Sequence, residues 1–138
     1  MEKVIIEKTE YEIIPVTFDG VNYKAILTKG TYLFGSGLCI RLWVAYPEEK
    51  TVDFWEELSI NPFPKALKNN QAAICRFNEG AEMVNKLLDT VGAVKVSNMM
   101  RINDMDVYIY DFSKANIKTQ EKEIDRTTNI IFFNETIS

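Results

Sequence analysis

Thr51-Val52-Asp53-Phe54-Trp55-Glu56-Glu57-Leu58-Ser59-Ile60 is the stretch from which the fold is read. Apolar residues at 52, 54, 58 and 60 fall at even spacing, the signature of a strand with one face turned to a core. Asn61-Pro62-Phe63-Pro64 ends that strand, because each proline removes a donor and restricts the residue before it. A short strand is expected over Ala72–Phe77, followed by a helix over Glu79–Val91. Ala81, Val84, Leu87, Leu88 and Val91 lie on one stripe of that helix. Asn78 is placed as its N-cap and Gly92 as its stop. A helix of about three turns is marginal alone in water and needs a sheet to cover it. The expected architecture is α+β: a mostly antiparallel, twisted sheet of about five to seven strands with this helix packed on one face.

Asp19-Gly20 sits between two alternating runs and favours a tight hairpin turn with positive φ at both positions. The register follows: Phe18 opposite Val21, Val16 opposite Tyr23 and Ile14 opposite Ala25 on one face, with Thr17–Asn22 and Pro15–Lys24 on the other. Pro15 cannot donate to a ladder, which marks the first of these strands as an edge. Leu38–Tyr46 is a third strand, turned into the central one by Pro47-Glu48-Glu49-Lys50. Asn103-Asp104 is a turn before a strand over Asp106–Phe112. Residues 1–112 are expected to form one domain. From Ser113 to Arg126 the composition becomes polar and reads as a solvated helix or tether, followed by the apolar Asn129–Asn134. That last segment would be an aggregation hazard if left open, so it should add to the sheet or to another subunit.

The chain has 138 residues, enough for a core without staples, and a net charge of −4, which disfavours nucleic acid as a partner. It contains no histidine, which excludes Ser-His and Cys-His nucleophile pairs and imidazole metal sites. Cys39 and Cys75 read as buried reduced thiols of a cytoplasmic protein. No apolar run approaches the roughly 18 residues of a membrane span, and the charged N-terminus lacks the pattern of a leader. No cofactor and no metal is expected. Gly30, Gly35 and Gly37 surround Tyr32-Leu33-Phe34 without a phosphate-loop pattern, so residues 28–37 read as a flexible connector with an aromatic tip. Asn103-Asp104-Met105-Asp106 lacks the glycine and distal glutamate of a calcium loop and reads as a polar turn.

Glu56 interrupts the inward row of the central strand. A carboxylate facing a core would have a raised pKa, whereas one at the sheet rim, or paired with a cation such as Arg76, would be structural. Pairing the third and central strands with their inward rows together sets Tyr46 opposite Val52 and Val44 opposite Phe54. The outward row then pairs Trp43 with Trp55 and Arg41 with Glu57. An exposed tryptophan pair beside an arginine is the composition favoured at binding hot spots. The competing possibility is that Ile130-Ile131-Phe132-Phe133 or the tail helix covers it.

The hairpin Phe18-Asp19-Gly20-Val21-Asn22-Tyr23, the strand end Leu58-Ser59-Ile60-Asn61-Pro62, Asn69-Asn70 and the closing Tyr108-Ile109-Tyr110-Asp111-Phe112 carry a resemblance. Together they resemble a family of small uncharacterised domains encoded on conjugative plasmids and transposons of Gram-positive bacteria. The likeness spans Phe18–Phe112, about two thirds of the chain, and leaves residues 113–138 outside it. It implies a mobile-element accessory setting. The leading expectation is a non-enzymatic protein-binding accessory protein of a mobile element or phage, inhibiting a bacterial defence system. One alternative is a small-molecule or nucleotide-binding, enzyme-like domain using Glu56 and the 28–37 loop. Another is a structural homo-oligomer assembled through residues 127–138. Stabilisation by metabolites in a thermal-shift screen would favour the enzyme-like domain, because binding to the folded state raises its melting temperature. Loss of self-association on removing residues 127–138 would favour the homo-oligomer.

Overall fold

The computed structural model describes residues 2–134 and contains mostly antiparallel strands with one helix, an α+β arrangement. The chain opens with β1 (Glu2–Ile6) and β2 (Thr9–Glu12), then the hairpin β3 (Ile14–Phe18) and β4 (Val21–Thr31). Asp19 and Gly20 have φ of 52° and 76°, and the five pairs of that hairpin, from Ile14–Ala25 to Phe18–Val21, have the expected register. Pro15 faces solvent on β3, whose one ladder partner among the described residues is β4. β5 (Leu38–Tyr46) and β6 (Thr51–Glu57) follow, and the expected single strand 51–60 breaks at Leu58 into β6 and β7 (Ser59–Ile60). β8 (Gln71–Cys75) leads to α1 (Ala81–Val91), and then come β9 (Val94–Lys95), β10 (Met100–Ile102) and β11 (Met105–Asp111). β12 (Lys118–Thr119) and β13 (Ile130–Asn134) complete the described chain.

The strands form three sheets rather than one: β13-β1-β2; β10-β11-β8-β7, with β9 also on β11; and β12-β4-β5-β6, with β3 also on β4. All pairs are antiparallel except β12 with β4. The 113–126 segment contains no helix; its one regular element is β12, with turns beside it. β13 pairs with β1 of the same chain, Phe132 opposite Val4. The apolar tail therefore completes an intramolecular sheet.

The β4–β5–β6 sheet is covered on both faces. One face joins α1 and the β8–β11 sheet in a core of Ile14, Val16, Leu27, Ile40, Leu42, Leu58, Ile74, Leu87, Leu88 and Phe112. The other packs Ile26, Trp43, Ala45 and Val52 against Val4, Ile6 and Tyr11, with Ile124, Ile130 and Phe132 at its border. This accounts for the nearly unbroken apolar run of β5, since a strand buried on both sides has no face to keep polar.

The helix begins two residues later than expected. Gly80, not Asn78, occupies the N-cap position with φ 79° and no side-chain cap bond. A Cβ there would stand 3.0 Å from the Phe18 ring, so a residue without a side chain lets the hairpin approach the helix start. Gly92 ends the helix with φ 87°, its N–H bonded to the Asp89 carbonyl, as the sequence implies. No helix among the described residues is long and apolar enough to cross a membrane.

Candidate functional site

The side-by-side tryptophan pair does not form. The four-residue turn between β5 and β6 sets Tyr46 opposite Thr51, one residue off the expected register, so Trp43 faces Phe54. An irregularity between Leu42 and Trp43 then absorbs one extra residue of β6 and restores the expected Arg41–Glu57 pairing. Trp43 is buried in the second core, where its Nε1–H donates to Thr28 Oγ1 at 3.1 Å and its ring meets Phe54 edge-on at 5.4 Å. Trp55 lies on the first core, 4.9 Å from the Tyr23 ring and 5.9 Å from that of Phe18. The two indoles occupy opposite faces of one sheet. Arg41 and Glu57 do meet, Nε to Oε1 at 3.7 Å, and Arg41 Nη1 also reaches Glu123 at 3.6 Å. Each is about one-third exposed, so the pair contributes little to stability.

Glu56 is exposed beside that irregularity, without the burial that a role as an acid requires. Arg76 turns instead to the Met99 sulfur, at 3.6 Å. In the 103–106 turn, Asp106 pairs with Arg101 at 3.4 Å. Asn103 Nδ2 donates to the carbonyls of Asn61 and Phe63, at 3.3 and 2.9 Å. This turn braces a neighbouring loop.

Cys39 is buried, and its thiol donates to Glu57 Oε1 at 3.0 Å beside a polar cleft of about 270 Å³ lined in part by Thr28, Arg41, Gln120 and Glu123. Burial first, and then the Glu57 carboxylate, push this thiol up to about 11. The thiolate is the nucleophile, so the site suppresses reactivity. Alkylation of Cys39 by iodoacetamide at pH 8, followed by peptide mapping, should run about 100-fold slower than for a free thiol on ionisation alone. Labelling at the free-thiol rate would contradict this environment. The folded-state pKa lies above the unfolded one, so the thiol's contribution to stability is fully present below the ordinary thiol range and is lost as pH rises towards 11.

The three most exposed large apolar side chains among the described residues lie at the end of the sheet where β4 turns into β5. Leu33 is 91% exposed, Phe34 69% and, from the neighbouring loop, Phe63 58%. The loops that carry them are bound to each other. Asn61 Nδ2 donates to the Phe34 carbonyl at 3.0 Å, Asn61 Oδ1 accepts from the Phe63 N–H at 3.1 Å, and Ser36 Oγ accepts from the Leu67 N–H at 2.7 Å. At its root the Tyr32 hydroxyl lies 2.7 Å from Ser59 Oγ, which also accepts the Ile40 N–H, and burial raises the Tyr32 pKa. Gly35 has φ 91°, and a Cβ there would meet Asn61 Oδ1 and Phe63 Cβ, both at 3.0 Å. The connector expected to be flexible is thus hydrogen-bonded to residues 59–67 through Tyr32, the Phe34 carbonyl and Ser36, and Asn103 in turn holds the Asn61–Phe63 loop. The aromatic tip is visible in the sequence. Its partner Phe63 and the asparagines that brace it lie 27 to 70 positions away, where no local pattern links them.

No family model matches this chain, and neither the curated proteins nor the solved structures hold a match to it.

Proposed function

We propose that this protein is a non-enzymatic binding protein that engages a partner protein through the Leu33–Phe34–Phe63 tip. The observation that carries this reading is the combination of high exposure with a braced backbone. Apolar side chains this exposed contribute almost nothing to folding, yet each releases roughly 1.5–3 kcal/mol when fully buried against a partner. Holding the backbone in place before binding removes part of the ordering cost that a floppy loop would incur. The chain has no histidine to serve as a general base, which further favours binding over catalysis. A mobile-element or phage setting, with inhibition of a bacterial defence system as the consequence of binding, belongs to this proposal through the family resemblance of residues 18–112.

The test compares affinity-tagged wild-type protein with the double variant Leu33→Ser/Phe34→Ser, expressed in a Gram-positive host. The wild type should retain a stoichiometric protein partner that the variant loses at least about 10-fold, a difference of roughly 1.4 kcal/mol. The melting temperature of the variant should stay within about 2 °C of wild type, because surface changes of this kind stay within about 0.5 kcal/mol. Equal recovery of the same partner by both proteins, or none by either, would sink the proposal.

A further inference from the structure

β6 has one ladder partner among the described residues, β5, and forms the end of its sheet. On an edge strand alternate N–H and C=O groups point away from the partner and are free to pair with another chain. The first half of this edge borders a groove of about 270 Å³, with Lys50, Thr51, Val52 and Asp53 on one side and Ile124, Asp125, Arg126, Thr128 and Ile130 on the other, so its lining carries charges of both signs. Its two faces differ in chemistry. Val52 and the half-exposed Phe54 lie on the second-core side, where Phe54 touches Trp43. Asp53 and Glu56, opposite Val44 and Leu42, are exposed on the other.

We infer that this edge takes an extended segment of a partner protein, added as a further strand, with apolar residues at alternate positions and lysine or arginine between them. Backbone pairing would supply the attachment. The apolar row would meet Val52 and Phe54, and the cations would meet Asp53 and Glu56. The same acidic row argues against a second copy of this chain, because two such edges laid antiparallel would bring like charges together. The surface lies at the β5–β6 turn, at the far end of β5 from the Leu33–Phe34 tip, and does not depend on the function proposed for the tip.

The probe is an end-blocked eight-residue peptide alternating valine and lysine, titrated into the ¹⁵N-labelled full chain while backbone amide shifts are followed. Changes should concentrate in residues 51–57 and 124–130. The charge-reversed variant Asp53→Lys/Glu56→Lys should bind this peptide about 10-fold more weakly and prefer a valine–glutamate peptide instead. Leu33→Ser/Phe34→Ser should bind as wild type does, which separates failure of this site from failure of the tip. Four results would each overturn the assignment: shifts scattered over the acidic surface, no change with peptide in the millimolar range, unaltered preference in the charge-reversed variant, or dimerisation of the peptide-free chain through β6.

Discussion

Trp43→Ala is expected to lower the free energy of unfolding by about 3–5 kcal/mol, a large part of the roughly 5–15 kcal/mol that a domain of this kind possesses. Trp43 is 5% exposed and stands at the centre of the second core, among Ile26, Ala45, Val52, Val4, Ile6 and Tyr11. No neighbouring side chain can fill the space of an indole, because β5 fixes its position from one side and the β13-β1-β2 sheet from the other. The variant also removes the donor that Thr28 Oγ1 accepts, leaving that buried hydroxyl with Gln120 alone. Urea unfolding followed by circular dichroism reads the effect directly. A loss below about 1 kcal/mol would mean that the N-terminal sheet is not seated on Trp43.

Leu58→Ala should cost about 2–5 kcal/mol. Its side chain is fully buried in the first core at the point where the chain leaves one sheet for the next. Its N–H bonds the Ile40 carbonyl of β5 at 2.8 Å, and its carbonyl accepts the N–H of Cys75, the last residue of β8, at 2.9 Å. One residue therefore ties two sheets together through both its backbone and its side chain. The urea midpoint should fall while the slope of the transition stays constant, because both sheets share this core and unfold together. A shallower slope or two separate transitions would show that the sheets unfold independently.

How much of this was legible depends on the range over which each feature is determined. The Asp19-Gly20 hairpin was readable pair by pair, since a two-residue turn and a two-sided pattern specify register locally. Gly92 was likewise readable from its place after the last apolar residue of the stripe. The β5–β6 register was not. A four-residue turn offset it by one, and the extra residue of β6 moved it back, so Val52 and Phe54 face the second core while Leu58 faces the first. An even count from 52 to 60 passes straight through that irregularity and places all of them together. The unbroken apolar run Leu42-Trp43-Val44-Ala45 carried the missing signal, since only a strand covered on both faces can afford it. For the N-terminal strands, alternating charges concealed Val4, Ile6 and Tyr11, whose burial depends on β13 from the far end of the chain. The tip was half legible: Leu33 and Phe34 were visible as an aromatic loop, but the asparagine braces are long-range contacts.

Hydrogen–deuterium exchange of the partner complex recovered with wild-type protein tests the binding claim most directly. Amides at residues 32–37 and 61–67 should exchange markedly more slowly in the complex than in the free protein, because the braced tip is buried there. Exchange at the tip as fast in the complex as in the free chain would mean that the partner does not bind there.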